Sequence, residues 1–591
     1  MKKWQLKPKA PSAFLKKFPE YSNLITQLLY NRDIKTQEQI DEFFNPDFQK
    51  DIHNPFLIKG IKKAVKRILK AVKKQEKIVI YGDFDADGVC STAILFITLE
   101  YLGAKNIRPY IPDRDKEGHG LNKKAIRELA NDKTNLIITV DCGSSNVKEI
   151  ELANSLGVDI IITDHHQIGY KPPKAFVIVN PYQEKKEKKD RYCFRNLSGA
   201  GVTYKLACAL LSSKKNNNQD ESLKKWLLDL TAISTVTDVM PIIGENRTIV
   251  KYGLGVLAQT KWIGLKELMD ISKITPNVTQ VSISGEAPRT NLNTDTLAYI
   301  LGPRLNAAGR IDHADNAFYL LISKSMAKAK QLAQKLNNNN VLRQSSTDKI
   351  VKEIIRRFES KSSKDKEQKM IIEGSPDWPI GLIGLVAGKI ADKYSRPTCI
   401  FNERKGIIRG SLRSIPNFDL MEALKKCADC FDDFGGHKGA AGFQMKKENL
   451  NQVRESLKKT AEKIKNNDLI SVLDIDAKLS LDEINWHNYD QIQLFAPFGK
   501  ANLEPKFLIK GAEIKDLRTV GNGSKHLKME VIVFGKSAGT AKKINAIGFG
   551  LGEWECKIKR GDLVDIVFQF IVNEWNGSRD LEMKVVDLKC V

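Results

Sequence analysis

Three short segments rich in carboxylate and imidazole carry the clearest chemistry in this chain. Asp83, Asp85 and Asp87 alternate with other residues in Tyr81-Gly82-Asp83-Phe84-Asp85-Ala86-Asp87-Gly88. Carboxylates that close repel one another unless a cation neutralises them, and oxygen ligands at such short spacing suit Mg²⁺ or Mn²⁺. A solvated acidic turn is the competing reading of that segment alone. Two further segments follow the same plan, because LIITV runs into Asp141-Cys142-Gly143 and VDIIIT runs into Asp164-His165-His166. A fourth contributor is Asp238 in TVTDVMPI. A carboxylate amid apolar residues needs a metal or a basic partner. Such a set suits chemistry assisted by a hard divalent cation. No nucleophile-elbow motif competes with that reading.

For these segments to meet, the elements before them must lie side by side. Each follows an apolar run of strand character (KIVIY, LIITV, VDIIIT), and helical patterns such as STAILFITLEYLGA separate them. The alternation predicts an α/β domain with a doubly wound parallel sheet. Ligands of such sheets bind outside the carboxyl ends of the strands, so side chains distant in sequence can converge there.

A chain of 591 residues exceeds a single hydrophobic core. The expected division begins with an N-terminal extension over 1–59, marked by Pro8, Pro11, Pro19, Pro46 and Pro55. The first α/β domain follows over 60–325. A connecting helix and linker span 326–365, the helical spacing continuing through Asn337–Asn340 towards the polar tract KSSKDKEQK. A second α/β domain occupies 366–466, where Gly381–Lys389 reads as a close-packing helix rather than a nucleotide loop. Alternating strands around the turns GNGS and NGSR predict a small antiparallel barrel over 467–591. Its aromatics (Phe495, Phe498, Phe507, Phe534, Phe549, Trp554 and Trp575) must fill an interior as well as any base-stacking surface.

The 95 Lys and Arg against 71 Asp and Glu leave a net charge of +24, which favours polyanionic partners, nucleic acid first. Nine cysteines without regular spacing argue against a disulfide framework, and Cys427 and Cys430 read as packing residues. No apolar leader and no long apolar run is present, so a cytoplasmic protein without a membrane partner is expected.

In order and in placement after strands, the Asp-rich segment, Asp141 and Asp164-His165-His166 resemble the motifs of the DHH phosphoesterase superfamily. Four more segments are similar to the single-strand exonucleases of that superfamily: Ser198–Val202 (SGAGV), Gly302–Arg310 (GPRLNAAGR), Gly435–Gly442 (GGHKGAAG) and Ala496–Pro505 (APFGKANLEP). The resemblance spans nearly the whole chain. It implies a DHH catalytic domain, a DHH-associated domain and a C-terminal OB-fold nucleic-acid-binding barrel.

It also implies two divalent ions, Mn²⁺ or Mg²⁺, held by Asp85, Asp87, Asp141, His165 and Asp238, with Asp141 bridging. Asp83 and His166 would either bind metal directly or orient water and phosphate, and Asp164 would support its neighbours. The implied phosphate and DNA ligands are Arg304, Arg310, Ser411, Arg413 and His437. A guanidinium can hold two phosphate oxygens, and the glycines beside His437 would let backbone N–H groups approach an anion. The implied activity is 5′→3′ degradation of single-stranded DNA to 5′-mononucleotides in recombination and repair. A single-strand-binding protein and a helicase are the implied partners. Two rival readings are a DHH phosphodiesterase for short oligonucleotides or cyclic dinucleotides, and a catalytically silent strand-binding scaffold. The OB-like tail counts against the first, and the intact acids and histidines against the second.

Overall fold

The computed structural model describes residues 2–183, 192–213, 218–280, 289–362, 367–535, 540–575 and 577–591. Residues 363–366 of the KSSKDKEQK tract and Asn576 of NGSR lie outside them. The chain forms two compact units, Phe48–Ser471 and the pair Met1–Asp47 with Val472–Val591.

The first lobe of the larger unit is built on strands β1 (Ile78–Tyr81), β2 (Ile107–Tyr110), β3 (Leu136–Val140), β4 (Asp159–Thr163) and β5 (Val177–Val179). They pair in the order β2-β1-β3-β4-β5, all parallel. Every residue of β1 and β3 is buried, as expected of a sheet covered on both faces. Side chains alternate between two cores: Ile78, Ile80, Ile138 and Val140 enter one, and Val79, Tyr81 and Ile137 the other. This is the doubly wound sheet that the sequence pattern predicts. Helices α1 (Ala86–Tyr101), α2 (Gly199–Ser212) and α3 (Leu228–Thr237) are apolar around most of their circumference and pack on one another in the first core.

Helix α4 (Gly302–Ile311) packs against α5 (Met326–Glu359), which connects the lobes. The asparagine tract does not interrupt α5. Its buried residues Ala329, Ala333, Leu336, Asn340, Thr347, Ile350, Ile354 and Phe358 keep helical spacing throughout.

The second lobe has strands β6 (Ile371–Gly374), β7 (Thr398–Arg404), β8 (Ile407–Arg413), β9 (Asp433–His437) and β10 (Ala440–Lys446) in the order β9-β10-β8-β7-β6. Only β6 and β7 run parallel. The glycine-rich run opens helix α6 (Ile380–Tyr394). A Cβ on Gly381 would fall 2.5 Å from the backbone oxygen of Arg310, so this glycine permits helix contact. Cys427 and Cys430 are buried in the core of this lobe.

In the other unit, β11 (Phe507–Val520), β12 (His526–Phe534), β13 (Ala541–Gly548), β14 (Leu563–Trp575) and β15 (Ser578–Cys590) close into a barrel through pairing of β11 with β14. The expected wholly antiparallel barrel needs one correction, because β13 and β15 pair in parallel at Ala546 and Met583. After β13 the chain crosses to set β14 beside β11, so the returning β15 runs in the direction of β13. Phe495 and Phe507 fill the core, whereas Phe534 and Phe549 are each 52% exposed. The N-terminal strand Lys3–Leu6 pairs with Val472–Ile475, and Leu24, Ile25, Leu28, Leu29, Ile40 and Phe44 share the barrel-side core with Phe495 and Phe507. The N-terminal extension expected over 1–59 therefore divides after Asp47, since Phe48, Ile52 and Phe56 pack on the first lobe. Among the described residues no helix is long and apolar enough to cross a membrane.

Candidate metal centre

The ends of β1, β3 and β4 bring their acids and imidazoles to one edge of the parallel sheet. Beyond β1, Asp85 caps α1, its Oδ1 accepting from the N–H groups of Asp87 (2.9 Å) and Gly88 (3.1 Å). Asp87 in the first turn of α1 is gripped by the N-terminus of α2. Its Oδ2 accepts from Gly199 N–H at 2.7 Å, and its Oδ1 from Ala200 N–H at 2.7 Å and the Ser234 hydroxyl at 2.6 Å. Helix N-terminal amides favour negative charge there.

Asp141 follows β3 in the left-handed region, with φ of 60°. After β4, Asp164 anchors both histidines. Its Oδ1 accepts from the N–H groups of His165 (2.7 Å) and His166 (3.1 Å) and lies 2.8 Å from His166 Nδ1, while its Oδ2 accepts from Ser144 N–H at 2.9 Å. His165 Nε2 is thereby set 3.2 Å from Asp141 Oδ1, and 3.7 Å from Asp87 Oδ2 and from Asp238 Oδ2. Asp238 enters from the C-terminus of α3.

Three sets of potential ligand atoms each lie within 4.8 Å of one another: Asp83, Asp85 and Asp141; Asp141, His165 and His166; and Asp87, His165 and Asp238. Asp141 and His165 each belong to two sets. Asp83 Oδ1, Asp141 Oδ1 and His165 Nε2 are buried without a hydrogen-bond partner. Orphaned atoms of this kind are costly unless a cation meets them.

The electrostatics point the same way. Burial, then Asp83 and Asp87, push the Asp85 carboxyl up to about 6. Burial and the Asp87 charge hold Asp141 well above the ordinary carboxylate range. Burial lowers His165, which favours a neutral imidazole with a free lone pair. Asp164 goes the other way, because its donors outweigh burial and hold it well below the usual range. Hard carboxylate oxygens with one or two imidazoles fit a divalent ion such as Mn²⁺ or Mg²⁺.

A cavity of about 220 Å³ opens over the carboxylates, and its other side is formed by Arg114, His119, Asn306 and Arg310. Burial, then Arg114, push the Arg310 guanidinium down to about 9. Gly309 lets α4 approach, since a Cβ there would fall 2.4 Å from Phe84 O. From β8, Arg413 donates to Ser411 Oγ at 3.0 Å, and burial, then the Arg114 charge, lower its pKa; of the arginines, Arg114 and Arg310 line the cavity itself.

Four of the phosphate and DNA ligands named from the sequence, Arg304, Ser411, Arg413 and His437, do not line the cavity. Arg304 donates to Asn337 Oδ1 at 3.1 Å and Ile300 O at 2.7 Å, and His437, exposed on β9, accepts from Gly439 N–H at 3.1 Å. Conversely, Arg114, His119, Asn306 and Ser234 were not singled out. His119 Nδ1 lies 3.0 Å from Asp83 Oδ2; although burial opposes it, this contact holds Asp83 below its ordinary pKa, and Asp83 raises His119 to about 9. The flanking Gly118 and Gly120, both at positive φ, are the local signal that could have marked it.

Comparison with known proteins agrees with both lobes and with the barrel. Residues 77–235 match the model of the DHH family, N-terminal domain, residues 367–463 the DHHA1 domain, and residues 475–587 the RecJ OB domain. The larger unit is therefore a DHH-type fold with its associated domain. The chain is 37% identical over 567 residues to the single-stranded-DNA-specific exonuclease RecJ of Bacillus subtilis, covering 95% of this chain and 67% of that protein. It is 30% identical over 580 residues to the enzyme of the same name from Haemophilus influenzae, covering 95% of each chain. The crystal structure of Thermus thermophilus RecJ in complex with Mn²⁺ superposes with a TM-score of 0.80 at 26% identity, over 99% of this chain and 79% of that one. The chain belongs to the RecJ family.

Proposed function

We propose that this protein is a metal-dependent exonuclease that degrades single-stranded DNA from the 5′ end and releases 5′-mononucleotides. One observation carries the reading: acids and imidazoles from three strand ends leave buried, unpaired ligand atoms beneath a cavity walled on its far side by arginines. The names of the RecJ relatives supply the substrate class, and polarity and product rest on family resemblance.

In this reading Asp83, Asp85, Asp87, Asp141, His165 and Asp238 would hold two divalent ions, Mn²⁺ or Mg²⁺. Bound there, such ions lower the pKa of attacking water and offset charge on the leaving oxygen. Asp164 fixes both histidines, and α2 with Ser234 fixes Asp87. Arg310 and Arg413 neutralise the phosphate, the Ser411 hydroxyl donates to it, and His166 orients it. Arg114 joins them because it faces the same cavity. Arg304 and His437 contact the strand outside it. The barrel grips the strand away from the cut. The cytoplasm is the proposed location, and a single-strand-binding protein and a helicase are the proposed partners in recombination and repair. The net charge of +24 and the absence of a membrane-spanning helix among the described residues support this setting.

The test is release of labelled nucleotide from single-stranded DNA marked at either end, in Mn²⁺, Mg²⁺ or EDTA, beside Asp141→Ala. Metal-dependent release from the 5′ end that the variant lacks is expected. Release from the 3′ end alone would overturn the polarity, and tight strand binding without hydrolysis under any metal would favour a silent scaffold.

A further inference from the structure

The loop after β2 carries Arg114 and His119 into the cavity, and it is tied from two directions. From its own lobe, Glu117 accepts from Tyr110 Oη at 2.6 Å, from Asn122 Nδ2 at 2.9 Å and from Asp113 N–H at 2.7 Å. From the second lobe, Arg409 on β8 donates from Nη1 to the carbonyl of Asp115 at 2.9 Å. Its Nε donates to Gln444 Oε1 at 3.0 Å, and Gln444 stands opposite Arg409 across β8 and β10. The guanidinium is thus aimed by its own sheet before it reaches the other lobe. Asp115 lies next to Arg114, whose guanidinium sits 5.2 Å from the centre of the Phe84 ring. Four residues along the same strand stands Arg413, whose positive charge is felt by Arg310 in the cavity.

We propose that Arg409 is a positioning residue: it latches the second lobe to the Asp115 carbonyl and so holds Arg114 and His119 in place over the cavity. The proposal rests on the strand-hydrolysis reading for its purpose, but the latch itself is a property of the loop. The Asp115 carbonyl lies one residue beyond Arg114, so anchoring it restrains the segment of loop from which the Arg114 side chain leaves. The latch is a charge-assisted bond in an exposed setting, and such a bond can open when the lobes part and reform when they meet. Arg310 makes a second link across the same gap, donating from Nη1 to Gly381 O at 3.2 Å, so a residue that lines the cavity is itself tied to the second lobe.

The experiment compares the full-length protein with Arg409→Ala and Arg409→Lys by hydrogen exchange over residues 111–121, by Mn²⁺ affinity, and by KM and kcat on a single-stranded oligonucleotide. In Arg409→Ala, exchange in the loop should quicken and KM should rise about three- to tenfold, the worth of one ordinary hydrogen bond, since solvent exposure weakens the charged one. Mn²⁺ affinity and kcat should stay near wild type, and Arg409→Lys, which can still offer one donor to the carbonyl, should recover part of the loss. Unchanged exchange in Arg409→Ala, or a fall in kcat at constant KM, would overturn the latch. If the wild-type protein hydrolyses no strand, the functional reading fails, and the exchange measurement still decides the latch.

Discussion

Gly199 lies so close to Asp141 that a Cβ built on it would fall 2.5 Å from the Asp141 Cβ and 2.6 Å from its Oδ1. Its own N–H meanwhile holds Asp87 at 2.7 Å. One glycine thus lets carboxylates from two strand ends share a site. Gly199→Ala should displace Asp141 and lower Mn²⁺ affinity and nuclease activity by about ten- to a hundredfold, as loss of a ligand's supporting contact does. Calorimetric titration with Mn²⁺ checks this, and wild-type affinity in the variant would show that the approach is not needed.

Metal should also stabilise the fold. Burial and neighbouring charge hold the pKa values of Asp85 and Asp141 high, and a cation removes that strain. At a hundredfold excess over its Kd, Mn²⁺ should add about 3 kcal/mol to the stability of the larger unit. Thermal melts in EDTA and in Mn²⁺ should differ for the wild type and converge for Asp141→Ala. Equal midpoints for the wild type would count against a resident ion.

Within the first lobe Lys205 and Glu245 form an ion pair with no side-chain exposure, and Glu245 also meets His53 Nδ1 at 2.8 Å and the Tyr192 hydroxyl. Lys205→Met strands a buried carboxylate and should cost about 3–5 kcal/mol. The double variant Lys205→Met with Glu245→Gln should cost less than Lys205→Met alone. Denaturant melts of the three proteins decide it.

Asp229 supplies a pH signature. Burial pushes this carboxyl up to about 7, against the hydrogen bonds from Thr260, Leu230 and Trp262 that favour its charged form. Unfolded, it titrates near 4, so between about 4 and 7 the folded chain keeps a proton that the unfolded chain releases. Its contribution to stability is therefore full below about 4, declines as pH rises through about 7, and is flat beyond. Asp229→Asn should flatten that decline in melts run from pH 4 to 8. An identical slope in the variant would assign the pH dependence to other groups.

The acids and histidines were legible because each follows an apolar strand directly, and parallel strands end at one edge. Asp83, Asp85, Asp87, Asp141, His165 and His166 all meet there. Arg114 and His119 were not, since they stand on a loop without periodicity whose tie to Asp83 exists only in three dimensions. The fate of Arg304 could have been foreseen. It precedes Arg310 by six residues on α4, and at 3.6 residues per turn the two leave the helix about 120° apart. The parallel pair in the barrel is a different case, because alternation marks a strand without naming its neighbour.

The joining of Lys3–Leu6 to Val472–Ile475, and of Leu29 and Phe44 to Phe495, imposes an order of events on synthesis. The first 47 residues leave the ribosome early, yet the surface that covers their apolar side chains begins at Val472. At 5–20 residues per second that gap lasts about 20–80 s. Throughout it Leu24, Ile25, Leu28 and Leu29 wait uncovered while the larger unit folds between the two halves. The barrel is thus the last part to close, and a C-terminal fragment expressed alone would need the N-terminal segment supplied in trans.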